Sequence, residues 1–345
     1  MRFLRDAVSP WSEHAEVDAV GNLVATFGSG PRRVVLLGHA DTAPGGWPVE
    51  VRGRQLHGRG AVDAKGSLCA MLVAASRLPP WQRARLTVQV IGAVEEEAAS
   101  SRGARHAVEA YPAPELVVVG EPSGWDAITL GYKGRLAVRV RIERPEGHSA
   151  RAEESAAEQV VTAWRHVRRW ALASSARHTA AFDALQATLL DVRSESDGLA
   201  QRSEATIAFR LPPAWPPERV LDALRAVLSS SLASADATFE ILAREVAHRS
   251  GRDGPLQRAL RTAIRGEGGR PRHLVKTGTS DMNVVAPVWR VPIVAYGPGD
   301  AALDHTPDEH LDLDEYARAV RVLERTLESL AGHAASAQPH MPDRS

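Results

Sequence analysis

The amino-acid sequence predicts an α/β catalytic domain interrupted by a smaller, inserted α+β domain, on three observations. Its 345 residues exceed the size at which a single hydrophobic core stops growing, so two domains are the natural expectation. Short β-branched and apolar runs alternate with helical periodicities up to Gly131 and again after Gly254, the rhythm of a sheet covered by helices. Between these halves the rhythm changes to half-exposed strands and two longer helices.

In chain order, residues 33–40 (RVVLLGHA) read as a buried strand ending in polar chemistry at His39 and Asp41. A helix over 64–78 carries Leu68, Met71, Leu72, Ala75 and Leu78 at helical spacing and is stopped by Pro79 and Pro80, which cannot continue it. Strands over 85–94 and 116–119 flank a helix through Ala104 and Ala107. Residues 135–142 then alternate apolar and basic side chains, as a strand does with one face in water. A helix over 153–172, strands over 187–192 and 205–211, a helix opened by Pro216 and Pro217, and a strand over 237–246 complete the small unit. A helix from Leu256, a strand over 291–296 and a helix over 314–330 restore the first rhythm. The boundaries so implied are 1–133 and 247–332 for the α/β domain and 134–246 for the insert. The scattered Ser, Pro and His of the tail, 333–345, predict disorder.

Composition excludes several classes. The 42 basic and 42 acidic side chains cancel, so no global field favours nucleic acid or an anionic membrane surface. No segment is apolar enough for a signal peptide or a bilayer span, and the single cysteine, Cys69, forms no intrachain disulfide; both suit the cytoplasm. Locally, Arg165, His166, Arg168, Arg169 and Arg177 crowd one helical stretch, either a solvated face or a docking surface for an acidic partner.

The chemistry gathers where strands end. In open α/β sheets, sites form beyond the carboxyl ends of the strands. His39 and Asp41 end the first strand, two residues apart and so on one face: an imidazole to ligate a metal, and a carboxylate to orient it. Asp63 lies in the glycine-rich GRGAVDAKG (58–66), where it is also a plausible helix N-cap. Glu95, Glu96 and Glu97 follow the next strand, and three adjacent carboxylates repel one another unless cations are present. Glu121 follows 116–119, and His305 stands in the polar loop DHTP. Each has an ordinary explanation alone. Together, two histidines and three carboxylates without thiolate suit zinc, cobalt or manganese.

The motifs LLGHADTAPG (36–45), GRGAVDAKG (58–66), EEE (95–97), GEPSG (120–124), GHSA (147–150) and LDHTPDE (303–309) stand in order along nearly the whole chain. In them the sequence resembles the M20 family of metallopeptidases and deacylases. The resemblance implies a di-metal exopeptidase type of domain, a mixed sheet flanked by helices, with an inserted lid and dimerisation domain. It implies two divalent ions, zinc first and cobalt as the alternative, bridged by Asp63. His39 and Glu121 would complete one ion, and Glu97 and His305 the other. Glu96 would be the general base, a choice over Glu95 that rests on the family pattern alone. It further implies a homodimer in which His148, within the insert, serves the partner's oxyanion; spacing alone reads His148 as part of a capped turn.

KTGTSDMN (276–283) is similar to a family segment that holds the substrate, so Lys276, Thr279, Ser280 and Asp281 are candidate substrate contacts, against a polar loop capping a helix. The wording of these motifs is most similar to the lysine/ornithine branch. That branch frees the α-amine of lysine or ornithine from an acyl group, which can be the C-terminal glutamate of a small acidic amino-group carrier protein in lysine, and possibly arginine, biosynthesis. Arg32, Arg33, Arg270 and Arg272 join the 165–177 stretch as candidate docking residues for that carrier. The alternatives are an N-acetylornithine or N-acetyllysine deacetylase, a succinyl-diaminopimelate desuccinylase, a dipeptidase or aminoacylase, and an inactive scaffold of the same fold.

Overall fold

The computed structural model describes residues 1–148, 153–231 and 236–332; the tail expected to be disordered lies outside them. The chain forms two compact units, one of Met1–Gly131, Ser250–Leu274 and the segment from Val288 onward, the other of Tyr132–Arg249 and Val275–Pro287.

The first unit is built on a mixed sheet in the order His14–Val17, Leu23–Phe27, Leu86–Ala93, Arg32–His39, Leu116–Val119, Ile293–Ala295 and Ala127–Tyr132. Its centre is parallel: Arg32–His39 runs alongside both Leu86–Ala93 and Leu116–Val119, and Ile293–Ala295 alongside Leu116–Val119. These strands are buried on both faces, which is why they read as continuous apolar runs. The helix Ser67–Ser76 packs on Arg32–His39, on Leu86–Ala93 and on the C-terminal helix Leu313–Gly332. It ends before Pro79, as the paired prolines require. Leu68 fits against Gly38, where a Cβ would stand 3.3 Å from its own Cβ, so the glycine lets helix and sheet close up. The expected helix start at Ala64 is displaced to Ser67, because Ala61–Gly66 winds as an irregular turn that carries Asp63. A small sheet, His310–Asp312 on Gln55–His57 on Glu50–Arg52, joins the C-terminal segment to the glycine-rich loop.

The second unit is an antiparallel sheet in the order Gln186–Ser196, Ala200–Leu211, Gly134–Pro145, Asp236–Glu245. The helices Ala156–Ser175 and Pro217–Ser231 pack on its apolar face around Val138, Val140, Val167, Ile207, Phe209 and Leu224. The basic positions that alternate with this core face outward and pair across strands, Arg139 with Glu240 (2.7 Å) and Arg141 with Glu204 (2.6 Å). A capping box starts the longer helix: Ser155 Oγ accepts from Glu158 N–H, and the Glu158 carboxylate accepts from Ser155 N–H.

Candidate metal centre

Register decides where the site forms. His39 stands opposite Ala93, and Leu37 opposite Val119, in adjacent parallel strands. Parallel strands leave a sheet at the same edge, so the residues that follow them emerge side by side: His39 and Asp41, then Glu95 to Glu97, then Glu121. Asp63 arrives from the glycine-rich loop, which turns at Gly60 with φ +84°; a Cβ there would stand 2.5 Å from Thr42 Cγ2, so glycine is required. His305 arrives from a turn after Ala301–Leu303 and holds φ 61°, a left-handed conformation uncommon outside glycine.

Two clusters result, sharing one aspartate: His39, Asp63 and Glu121, and Asp63, Glu97 and His305, with one ligand atom of each residue within 4.8 Å of the others in its cluster. His39 Nε2 is 3.3 Å from Asp63 Oδ1 and 4.0 Å from Glu121 Oε1. His305 Nε2 is 3.0 Å from both Asp63 Oδ2 and Glu97 Oε1. Glu96 Oε2 lies 3.9 Å from His39 Nε2. The neighbouring Glu95 turns away, to Arg102 (2.8 Å) and the Ser100 hydroxyl (2.7 Å).

The donor set fits a pair of divalent ions. His39 is 1% exposed, yet its Nε2 makes no hydrogen bond of ordinary geometry among these carboxylates. Ligand atoms bound ~2.0–2.2 Å from one tetrahedral ion stand about 3.4 Å apart, close to the 3.3 Å between His39 Nε2 and Asp63 Oδ1, whereas His305 Nε2 is within direct hydrogen-bond distance of Glu97. His39 Nδ1 is 3.1 Å from the backbone carbonyl of Asp41 and 3.6 Å from its carboxylate. The carbonyl only accepts, so Nδ1 carries a proton, and in the neutral ring Nε2 turns a lone pair toward the cluster. The backbone of Asp41 thus orients the ring more directly than the carboxylate expected for that task. That carboxylate instead accepts from Glu97 N–H at 3.1 Å, tying the ends of two strands together.

The charge state shows the same crowding. Burial lowers the His39 imidazole, but Asp41, Asp63, Glu96 and Glu121 outweigh it and raise its pKa well above the ordinary value. His305 is likewise lowered by burial and raised overall by Glu97 and Asp63. Glu97 is raised by burial and by Asp63. Burial raises the Asp41 carboxyl, but the adjacent His39 imidazole and the backbone N–H groups of Glu97 and Glu96 outweigh it and hold it below its usual range.

The remaining candidates belong to the second unit. His148 follows the strand Gly134–Pro145 and is exposed. Lys276 lies with its ammonium 5.9 Å from the Tyr132 ring centre. Thr279 Oγ1 donates to the Lys133 carbonyl (3.1 Å) and accepts from Arg210 (2.8 Å). Ser280 and Asp281 are buried, and Ser280 Oγ accepts from Met282 N–H (3.3 Å) at the start of the helix Met282–Trp289. Sequence reasoning passed over Glu309, which is fully buried and bound to the Asp63 loop. The signal was an acid four residues past His305, at the edge of a strand.

Histidines and carboxylates at the ends of parallel strands, in two clusters sharing one aspartate, define a candidate two-metal hydrolase centre. The chain belongs to Peptidase family M20/M25/M40, a two-metal family, whose sequence profile matches residues 35–329. It is 50% identical to the LysW-lysine hydrolase of Deinococcus radiodurans, over 96% of this chain and 91% of that protein. It is 34% identical to a putative LysW-lysine/LysW-ornithine hydrolase of Thermococcus kodakarensis, over 96% of this chain and 86% of the relative. Its fold matches the M20 family metallo-carboxypeptidase Sso-CP2 of Sulfolobus solfataricus with a TM-score of 0.77 at 17% identity, covering 96% and 93% of the two chains. No helix among the described residues is long and apolar enough to cross a membrane.

Proposed function

We propose that this enzyme hydrolyses the amide that joins the α-amine of lysine, or of ornithine, to the C-terminal glutamate of an amino-group carrier protein, in lysine and possibly arginine biosynthesis. One observation carries the substrate: the half-identity, over nearly the whole chain, to the Deinococcus LysW-lysine hydrolase. The site carries the chemistry. His39, Asp63 and Glu121 hold one ion and Asp63, Glu97 and His305 the other, with zinc first and cobalt as the alternative. When bound, the pair supplies Lewis acidity to the amide carbonyl and to the attacking water. Glu96 is the general base: its Oε2 faces the cluster, takes the water's proton and returns it to the leaving amine, a role Glu95 is poorly placed to fill. Asp41 keeps His39 in the ligating tautomer.

In this reading the second unit is a lid and dimerisation domain, and the working enzyme is a homodimer in which His148 donates to the partner's oxyanion. Lys276, Thr279, Ser280 and Asp281 are the proposed contacts of the amino acid. A lone free thiol, Cys69, suits the reducing cytoplasm. The deciding experiment pairs metal analysis with rates on carrier-linked lysine and on N-acetylornithine. The expected result is two ions per chain and a strong preference for the carrier-linked amide; equal or faster turnover of N-acetylornithine would replace this reading with the small-molecule deacetylase.

A further inference from the structure

Glu309 is a carboxylate with no exposed surface, four residues beyond His305 and outside both ligand clusters. One oxygen, Oε1, accepts from three backbone N–H groups of the glycine-rich loop: Gly60 (2.9 Å), Val62 (3.0 Å) and Asp63 itself (3.2 Å). The other, Oε2, is 3.0 Å from Arg59 Nη1. That guanidinium nitrogen also reaches the carbonyl of Thr306, next to His305, at 3.4 Å. The backbone carbonyl of Glu309 takes the Gly58 N–H at 3.2 Å. Burying a carboxylate carries a desolvation penalty that only close pairing offsets, and the pairing here comes from residues 58–63, the segment that carries Asp63, with Arg59 reaching on to the segment that carries His305. Charge-assisted bonds of this kind are shorter and about twice as strong as neutral ones, so they fix the loop more tightly than a neutral acceptor would.

We infer that Glu309 is a positioning residue for the metal centre: it sets the backbone from which Asp63 bridges the two clusters and, through Arg59, holds the His305 turn in register with it. The inference rests on the reading of Asp63 and His305 as metal ligands. Outer partners of ligands typically contribute 10–100-fold to metal affinity. Glu309 acts one step further out, on the backbone of a ligand rather than on its side chain.

The test is cobalt titration of the full-length, metal-stripped protein, followed by the visible ligand-field bands and by calorimetry, for the natural chain, Glu309→Ala and Glu309→Gln. Folding is checked by near-ultraviolet circular dichroism. Glu309→Ala, folded, is expected to bind cobalt about 10–100-fold more weakly with altered bands. Glu309→Gln keeps one acceptor for the loop but sets a second donor against Arg59, so a smaller loss is expected. A role confined to stability would lower the melting temperature and leave affinity and spectrum of the folded protein untouched; that result in Glu309→Ala overturns the inference. Where Glu309→Ala does not fold, Glu309→Gln decides: weakened binding supports the inference and natural affinity overturns it. Failure of the natural chain itself to take up cobalt would overturn the metal-centre reading, and the inference with it.

Discussion

At Glu96 and Glu97 two adjacent carboxylates face different histidines, His39 and His305, and the proposed function gives them different tasks. Replacing Glu96 by Gln removes the proton acceptor and preserves the shape. Turnover should fall by ~10²–10⁴ while both ions are retained, as metal analysis beside steady-state rates would show; near-normal activity would remove Glu96 from its role. The raised pKa values of Glu97, His39 and His305 give a second expectation, for the metal-free protein. Each group binds its proton more tightly folded than unfolded. The stability it lends is therefore full below its unfolded value, 4.5 for Glu97 and 6.5 for the histidines, and is lost as pH rises through the raised folded value. The melting temperature of the chelated protein should fall as pH is raised from mildly acid to alkaline, and the metal-loaded protein should show less of that fall, since the ions replace the protons. Parallel curves with and without metal would contradict this. Most of the residues that gather in the two clusters are legible in the sequence because strand ends followed by acids are a local pattern. The sequence conceals Glu309 and the part played by the Asp41 carbonyl, since both depend on what the folded chain brings near them.

Among the elements, those with a strong period were the readable ones. The buried run at Leu116–Val119 and the alternation within Gly134–Pro145 announce themselves through side-chain pattern. The edge strand His14–Val17, half-exposed and short, gives no such signal, and neither does Glu50–Arg52, exposed throughout. The stretch Val275–Pro287, grouped by rhythm with the α/β half, clusters with the second unit, where Asn283 Nδ2 donates to the Val246 carbonyl at 2.7 Å and Thr279 to the Lys133 carbonyl at 3.1 Å; such polar tethers across the sequence leave no periodic trace. The core of that unit is periodic and closely packed. Phe209 is fully buried there, with Trp170 set edge-on to its ring at 6.2 Å. Phe209→Ala should destabilise the second unit by about 3–5 kcal/mol in urea unfolding, and a loss below about 1 kcal/mol would show that the site collapses around the cavity.

For the whole molecule, the proposed function requires a surface on which an acidic carrier protein docks. Of the arginines that sequence alone offers, Arg32 is tied to Glu115 at 3.1 Å and Arg272 to Asp126 at 2.6 Å, so both have internal work. Arg165, Arg168, Arg169 and Arg177 are exposed along and just beyond the helix Ala156–Ser175. Reversing the charge of these four should raise KM for carrier-linked lysine, increasingly so at low salt, and leave N-acetylornithine turnover unchanged. Equal effects on both substrates would point to damage to the fold instead. The order in which the ligands occur along the chain has a consequence for biosynthesis. His39, Asp63 and Glu121 are all present once the first 121 residues have been made, whereas His305 follows Glu121 by 184 residues. At ~5–20 residues per second the ribosome needs roughly 10–40 s to cover that distance. The sheet also waits, because Ile293–Ala295 must slot in beside Leu116–Val119. On the proposed ligand assignment, a nascent chain holds the donors for one ion well before those for the second, and the second site cannot be complete until the C-terminal segment has been made.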